Sequence, residues 1–244
     1  MTPGPDRARW SGCLALGPNW LLYTGAVGPT AEHRHHAVQV IAGAAPLTVT
    51  IRSAPVTAAL IIIPPDVPHQ IIGGSPNASV LFVDADTPAA DPAPGSARRS
   101  APVLVSDPAC LAYAEAAHIA DSMLSAIGAR PSARRAVSAE VTAAIRLLDD
   151  ELTTSAAVLA GHVGLSPSEL SRRFSREIGI PLRSYRRWRR LVLAIDALAG
   201  GTNLTDAAYA AGFSDSAHLT RTFRAMIGIA PSELTGTSRW LEPT

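Results

Sequence analysis

Asn203–Leu234, NLTDAAYAAGFSDSAHLTRTFRAMIGIAPSEL, reads as two short helices joined by a tight turn, and the rest of the chain is organised around it. Asn203 caps the first helix, its side-chain oxygen taking an amide that the opening turn leaves unpaired. Leu204, Ala207, Ala208 and Ala211 follow at helical spacing as an apolar stripe. Gly212 supplies the turn, where positive φ costs little without a Cβ. Asp215 or Ser214 restarts a helix that buries Leu219, Phe223 and Ile227. Its other side carries Ser216, His218, Thr220, Arg221 and Arg224, small polar and basic groups suited to a DNA major groove.

The pattern occurs twice. LSRRFSREIGI from Leu170 aligns with LTRTFRAMIGI from Leu219 at an offset of 49 residues, pairing Arg172 with Arg221, Phe174 with Phe223 and Gly179 with Gly228. Upstream, Ser155, Ala160 and Gly164 match Asn203, Ala208 and Gly212 at an offset of 48. A repeat of this kind is one supersecondary unit built twice. At these residues, with Gly212-Phe213, Phe223, Gly228 and Pro231 in place, the chain closely resembles the AraC/XylS transcription regulators over roughly residues 141–240. The resemblance implies second helices at Ser166–Arg176 and Asp215–Met226 in successive major grooves. It places Ser168, Ser171 and Arg172 of the first unit, and Ser216, His218, Thr220 and Arg221 of the second, against bases.

Between the repeats lies RSYRRWRRLVLAIDALA, Arg183–Ala199, whose Leu191, Ile195 and Leu198 recur at helical spacing. The resemblance makes it one long helix that separates the two units. Its arginines are a solvated face with one structural member, or they neutralise DNA phosphates. Arg183, Arg187 and Arg190, with Arg224, are the candidate phosphate contacts.

All 21 basic residues are arginine and the net charge is +1. Up to Gly128 there are 6 arginines against 9 acidic residues, and from Ala129 onward 15 against 11, so −3 is followed by +4. That asymmetry fits a sensor joined to a nucleic-acid reader. No apolar run reaches the ~18 residues of a membrane span, and the N-terminus lacks the order of a signal peptide. A cytoplasmic protein is expected. Cys13 and Cys110 have no metal or redox spacing and read as small buried residues.

From Trp10 to Asp86 short β-type runs alternate with turn residues: Trp20–Tyr23, Ala37–Ile41, Leu47–Ile51, Ala58–Ile63, His69–Ile72 and Ser79–Val83. They predict a small barrel or sandwich. Asp86–Pro102 reads as a linker or crossing loop. Asp107-Pro108 opens a helix that runs to Ile127 and stops at Gly128, with Tyr113, Ala116, Ala120, Met123, Leu124 and Ile127 on one side. That stripe packs on the barrel, pairs with a second subunit, or does both. Another helix follows Pro131-Ser132, carrying Val137, Val141, Ile145 and Leu148.

HRHHAVQ (His33–Gln39) and PPDVPH (Pro64–His69) resemble the two motifs of the cupin fold. Gly28 stands one residue nearer to His33 than that pattern asks, Gln39 replaces its acid, and Asp66 replaces its glycine. The resemblance brings His33, His35 and His69 together as ligands of a divalent Zn, Fe, Ni or Mn ion. The other reading is a metal-free effector pocket, or a bracing role, for His33, His35, Gln39 and His69. His36 points to the opposite face from His35.

The expected architecture is α+β: a cupin-like barrel with linker (1–105), a connecting and candidate dimerisation helix (106–130), and an all-α double helix-turn-helix domain (131–244). The function implied is an effector-responsive, DNA-binding transcription regulator, homodimeric, with RNA polymerase as a further candidate partner. A metal- or stress-responsive regulator is the alternative, and an architectural DNA binder a weaker one. A metal-cupin enzyme fused to a DNA reader is disfavoured, because no acidic ligand with a catalytic acid or base is present.

Overall fold

Short, nearly continuous apolar runs interrupted by turn residues make the front of the chain a sheet. The structure, a computed structural model, describes residues 10–87, 97–98, 111–127, 137–235 and 238–242. The expected helix start at Asp107-Pro108, its stop at Gly128, the Pro131-Ser132 break and most of the Asp86–Pro102 linker lie outside them. Two compact units form, Met1–Ala133 with Phe223–Thr244, and Arg134–Thr222.

The first unit contains β1 (Ser11–Gly17), β2 (Trp20–Val27), β3 (Val38–Ile51), β4 (Ala54–Ile63), β5 (His69–Ile71), β6 (Ser75–Val83), β7 (Ala97–Arg98) and β8 (Ser238–Leu241). They form one eight-stranded sheet, ordered β7-β4-β3-β6-β2-β1-β8, with β5 paired to the far end of β3. Among the described residues this is an open path. The runs expected separately at Ala37–Ile41 and Leu47–Ile51 are one strand, bent where its register against β4 shifts between Ala42 and Leu47. Part of the expected linker is an edge strand, Ala97 and Arg98 pairing with Ile61 and Leu60. β1 and β8 were not among the expected strands. They pair in parallel, Cys13 opposite Arg239 and Leu14 opposite Trp240, so the last residues of the chain extend the first strand's edge.

Both faces of the sheet are buried. On one, Cys13, Ala15, Trp20, Leu22, Val38, Val40, Leu60, Ile62, Leu81 and Val83 cluster with α1 (Tyr113–Ala126), which brings Ala116, Ile119, Ala120, Met123 and Leu124. The apolar stripe of that helix is therefore covered by its own sheet. Glu115 reaches back to accept from the Ala112 N–H at 2.9 Å, and the Tyr113 hydroxyl donates to the Leu16 carbonyl at 2.7 Å. The period of two sends Gln39 and Phe82, paired in register between β3 and β6, to the opposite face.

The second unit is helical: α2 (Ala139–Asp150), α3 (Ala156–His162), α4 (Pro167–Ile178), α5 (Leu182–Ala199), α6 (Leu204–Ala210) and the start of α7 (Ser216–Ile227). Its core holds Leu148, Leu159, Leu170, Phe174, Tyr185, Trp188, Leu191 and Ile195, all buried. Phe174 meets Tyr185 edge-on at 5.2 Å. The start of α2 is tied to α4 by Ser138, whose N–H and hydroxyl both donate to the Glu177 carboxylate at 2.9 and 2.8 Å. Arg173 donates to Glu140 at 2.7 Å on the same side. After α7 comes α8 (Pro231–Thr235), within the sheet unit.

Candidate nucleic-acid interface and histidine cluster

The two halves of the repeat are built by the same local chemistry. Ser155 caps α3 by accepting from the Val158 N–H, and Asn203 caps α6 by accepting from the Thr205 and Asp206 N–H groups. At each turn a glycine takes the left-handed conformation, Gly164 at φ 68° and Gly212 at φ 72°. The residue after it donates back into the helix just ended: Leu165 to Ala160 at 2.9 Å, Phe213 to Ala208 at 2.8 Å. A capping side chain then opens each second helix. Ser166 accepts from the Glu169 N–H at 3.2 Å, and Asp215, rather than Ser214, accepts from His218 at 2.6 Å. Glycines close the repeat as well, Gly179 at φ 89° and Gly228 at φ 81°.

Leu170 and Phe174 on α4, and Leu219 and Phe223 on α7, are buried, which turns the other sides of both helices outward. Ser168, Ser171 and Arg172 on α4 are exposed, as is Arg221 on α7, while Ser216, His218 and Thr220 are half-buried. Arg172 is held by an ion pair to Glu169 one turn earlier. The Thr220 hydroxyl donates to the Ser216 carbonyl at 2.8 Å, and His218 sits edge-on to Phe213 with Nδ1 3.1 Å from the Ser214 hydroxyl.

The arginines of α5 divide into two groups. Arg183 and Arg187 are exposed, as is Arg224 on α7. Arg186 donates to the Leu152 and Thr153 carbonyls, at 3.1 and 3.2 Å, beyond the end of α2, and Arg189 pairs with Asp149 at 3.1 Å. Arg190 donates through Nε to the Ala211 carbonyl at 2.8 Å and lies over the Phe213 ring at 4.7 Å. Burial depresses the Arg186 and Arg190 guanidinium pKa values from their ordinary range. The sequence offers no sign of this division. It depends on which side of α5 meets α2 and the α6 turn.

A family model described as a helix-turn-helix domain matches residues 159–236. The solved structure of ToxT from Vibrio cholerae bound to an unsaturated fatty acid aligns with a TM-score of 0.54 at 10% identity, covering 91% of this chain and 96% of that one. The chain carries a helix-turn-helix domain and shares the fold of ToxT. A transcriptional regulator from Chromobacterium violaceum, of AraC-type DNA-binding-domain description, matches at 27% identity over 40% of this chain and 89% of its own, with a TM-score of 0.38. No curated protein matches the chain by sequence.

The sheet unit brings three of its histidines together. His33 and His69 exchange backbone hydrogen bonds of 2.9 Å in an isolated antiparallel bridge, and the Asp66 N–H donates to the His35 carbonyl at 2.8 Å. Asp66, where the cupin pattern has glycine, adopts φ 61°. Aspartate is among the few residues with a side chain that visit this region readily. Its carboxylate takes His36, while His33, His35 and His69 form a group of three. The ring centroids of His33 and His69 are 4.1 Å apart, those of His35 and His69 4.9 Å, and those of His33 and His35 6.0 Å. One ring nitrogen from each lies within 4.8 Å of the others, and all three residues are buried.

Their tautomers follow from their neighbours. Nδ1 of His33 faces the Ala31 carbonyl at 2.9 Å, that of His35 the Ala37 carbonyl at 2.9 Å, and that of His69 the Val67 carbonyl at 2.8 Å. A carbonyl only accepts, so each Nδ1 carries the proton and each Nε2 of the neutral rings presents a lone pair. Nε2 of His33 and of His69 are buried with no hydrogen-bond partner among the described residues. Nε2 of His35 lies 3.2 Å from the Gln39 side-chain amide, and as a lone pair it accepts from the NH2 end of that amide. Burial, the main cause, pushes His33 down to about 4, His35 to about 3 and His69 to about 2, with mutual repulsion adding at His35 and His69. The cluster is therefore uncharged at neutral pH.

These features fit a divalent transition-metal ion. Such ions take neutral imidazole nitrogens, and the second ring N–H of a ligating histidine is normally held by a carbonyl or carboxylate, as here. Tetrahedral coordination at about 2.0–2.1 Å brings ligand nitrogens to roughly 3.4 Å from one another. The rings need to close by little more than 1 Å from the 4.8 Å limit.

Proposed function

We propose that the chain is an AraC-type DNA-binding transcription regulator that reads two DNA sites about one helical turn apart with α4 and α7, and that its sheet unit senses an effector at His33, His35 and His69. The observation that carries the sensing half is the pair of buried, unpartnered Nε2 lone pairs on His33 and His69, with His35 alongside. Burying a polar atom without a partner costs about 1–3 kcal/mol. An ion that accepts these lone pairs removes that cost. His33, His35 and His69 would hold the ion, with the Gln39 side chain beside His35. Bound there, an ion would supply a positive charge shared by the His33–His35 segment and the start of β5. We assign the chain no catalytic residue, and its place is with cytoplasmic DNA.

In the reading half, Ser168, Ser171 and Arg172, and Ser216, His218, Thr220 and Arg221, address bases, while Arg183, Arg187 and Arg224 address phosphates. Arg190 acts on the backbone before the second turn. A homodimer and contact with RNA polymerase complete the proposal. An organic acid is the second reading of the effector. Its support is the fold shared with ToxT, whose structure holds an unsaturated fatty acid.

The test is a titration of the full chain with Co²⁺, Zn²⁺ and, separately, oleate, followed by calorimetry and by the visible absorption of Co²⁺. We expect one Co²⁺ per chain with a nitrogen-rich spectrum, abolished by His69→Ala. Oleate binding without any metal binding would favour the second reading and remove the first.

A further inference from the structure

The segment that carries His33 is also bonded to the end of α7. The Ala31 N–H donates to the Gly228 carbonyl at 2.9 Å, and the Arg34 N–H donates to the Ala225 carbonyl at 3.3 Å. These carbonyls stand at a helix C-terminus, where no intrahelical donor remains for them. Gly228 lies so close that a Cβ there would sit 2.5 Å from the His33 Nδ1, 2.8 Å from the Thr30 Cβ and 2.9 Å from the Ala31 oxygen. The glycine thus meets two demands. Its φ of 81° ends the helix, and its missing side chain admits the His33 ring. Gly179 ends α4 with the same handedness.

We propose that occupancy of the histidine cluster is transmitted to the last turn of α7, the helix that carries Arg221, through Thr30–Arg34. The inference rests on the reading of the cluster as a metal site. An ion on His33 restrains the ring, the ring restrains the Ala31 carbonyl that accepts from it, and that segment holds the Gly228 and Ala225 carbonyls in place. Linkage is reciprocal, so whatever fixes the end of α7 raises metal affinity by the same factor, with such couplings on the order of 5–150-fold.

Hydrogen exchange of the full chain, with and without Co²⁺, tests this alongside the Co²⁺ titration of Gly228→Ala. We expect Co²⁺ to slow exchange at Ala31 and Arg34 and across Phe223–Gly228. The variant should bind Co²⁺ at least about tenfold more weakly, the scale of losing a ligand's supporting contact, with helical circular dichroism unchanged. Co²⁺ binding with protection confined to the sheet residues overturns the inference and leaves the metal reading intact, as does wild-type affinity in a folded Gly228→Ala chain. Absence of Co²⁺ binding to the wild type overturns the metal reading and this inference together. If the variant does not fold, the exchange pattern of the wild type decides alone.

Discussion

Replacing Arg190 separates a structural arginine from a phosphate-binding one. Its Nε donates to the Ala211 carbonyl at 2.8 Å and its guanidinium covers the Phe213 ring at 4.7 Å, fastening α5 to the turn of the second reading unit. A hydrogen bond from a charged donor contributes about 1.5–3 kcal/mol, and a cation over an aromatic face about 0.5–1 kcal/mol where it is partly exposed. Water reaches the half-buried site and replaces part of the first contribution, so Arg190→Ala should destabilise the helical unit by about 2 kcal/mol. Arg190→Lys keeps the charge but loses the planar fork and its fixed Nε direction, and should still cost about 1 kcal/mol. Urea unfolding of the full chain, followed by helical circular dichroism, reads both. DNA affinity measured against salt supplies the contrast. A lost phosphate contact lowers the slope of log affinity against log salt by about 0.9, whereas a structural arginine leaves the slope unchanged. A lysine variant as stable as the wild type, with an alanine variant that loses that slope, would refute the reasoning.

Arg172→Ala and Arg221→Ala should each cost about 1–3 kcal/mol in affinity for a duplex selected from a random pool and relax preference at one base position. Unchanged affinity and preference in both would sink the double reader. In the metal-free chain, His33 binds its proton near pH 4 when folded and near its ordinary 6.5 when unfolded. The unfolded state therefore holds more protons between those values, and stability falls as pH drops through them. The contribution is fully present above about pH 6.5 and totals on the order of 3 kcal/mol by pH 4. His33→Phe should flatten that part of a pH series of melting temperatures, and an unaltered profile would count against it. Because α1 spends its apolar stripe on its own sheet, Met123→Ala should destabilise the monomer by about 2–5 kcal/mol without shifting sedimentation. A change in oligomeric state at unchanged stability would place that stripe at a subunit interface.

The reading half was largely legible in the sequence, because its determinants act over a few residues. Caps at Ser155 and Asn203, left-handed turns at Gly164 and Gly212, and apolar residues three or four apart repeat along the chain. Each appears in the structure with the bond or dihedral that its chemistry requires. The histidine group was legible for a different reason, through the resemblance of His33–Gln39 and Pro64–His69 to the two cupin motifs. What the sequence could not express was which surfaces meet. Five arginines of α5 look alike in a row, yet packing spends Arg186, Arg189 and Arg190 internally and leaves Arg183 and Arg187 outside. The stripe of α1 was equally suited to a sheet or a second subunit until the sheet covered it. The pairing of β1 with β8, and the approach of Gly228 to His33, join residues from opposite ends of the chain. Local patterning is written in side chains a turn or a strand apart, and contacts of that separation exist only once the chain has folded.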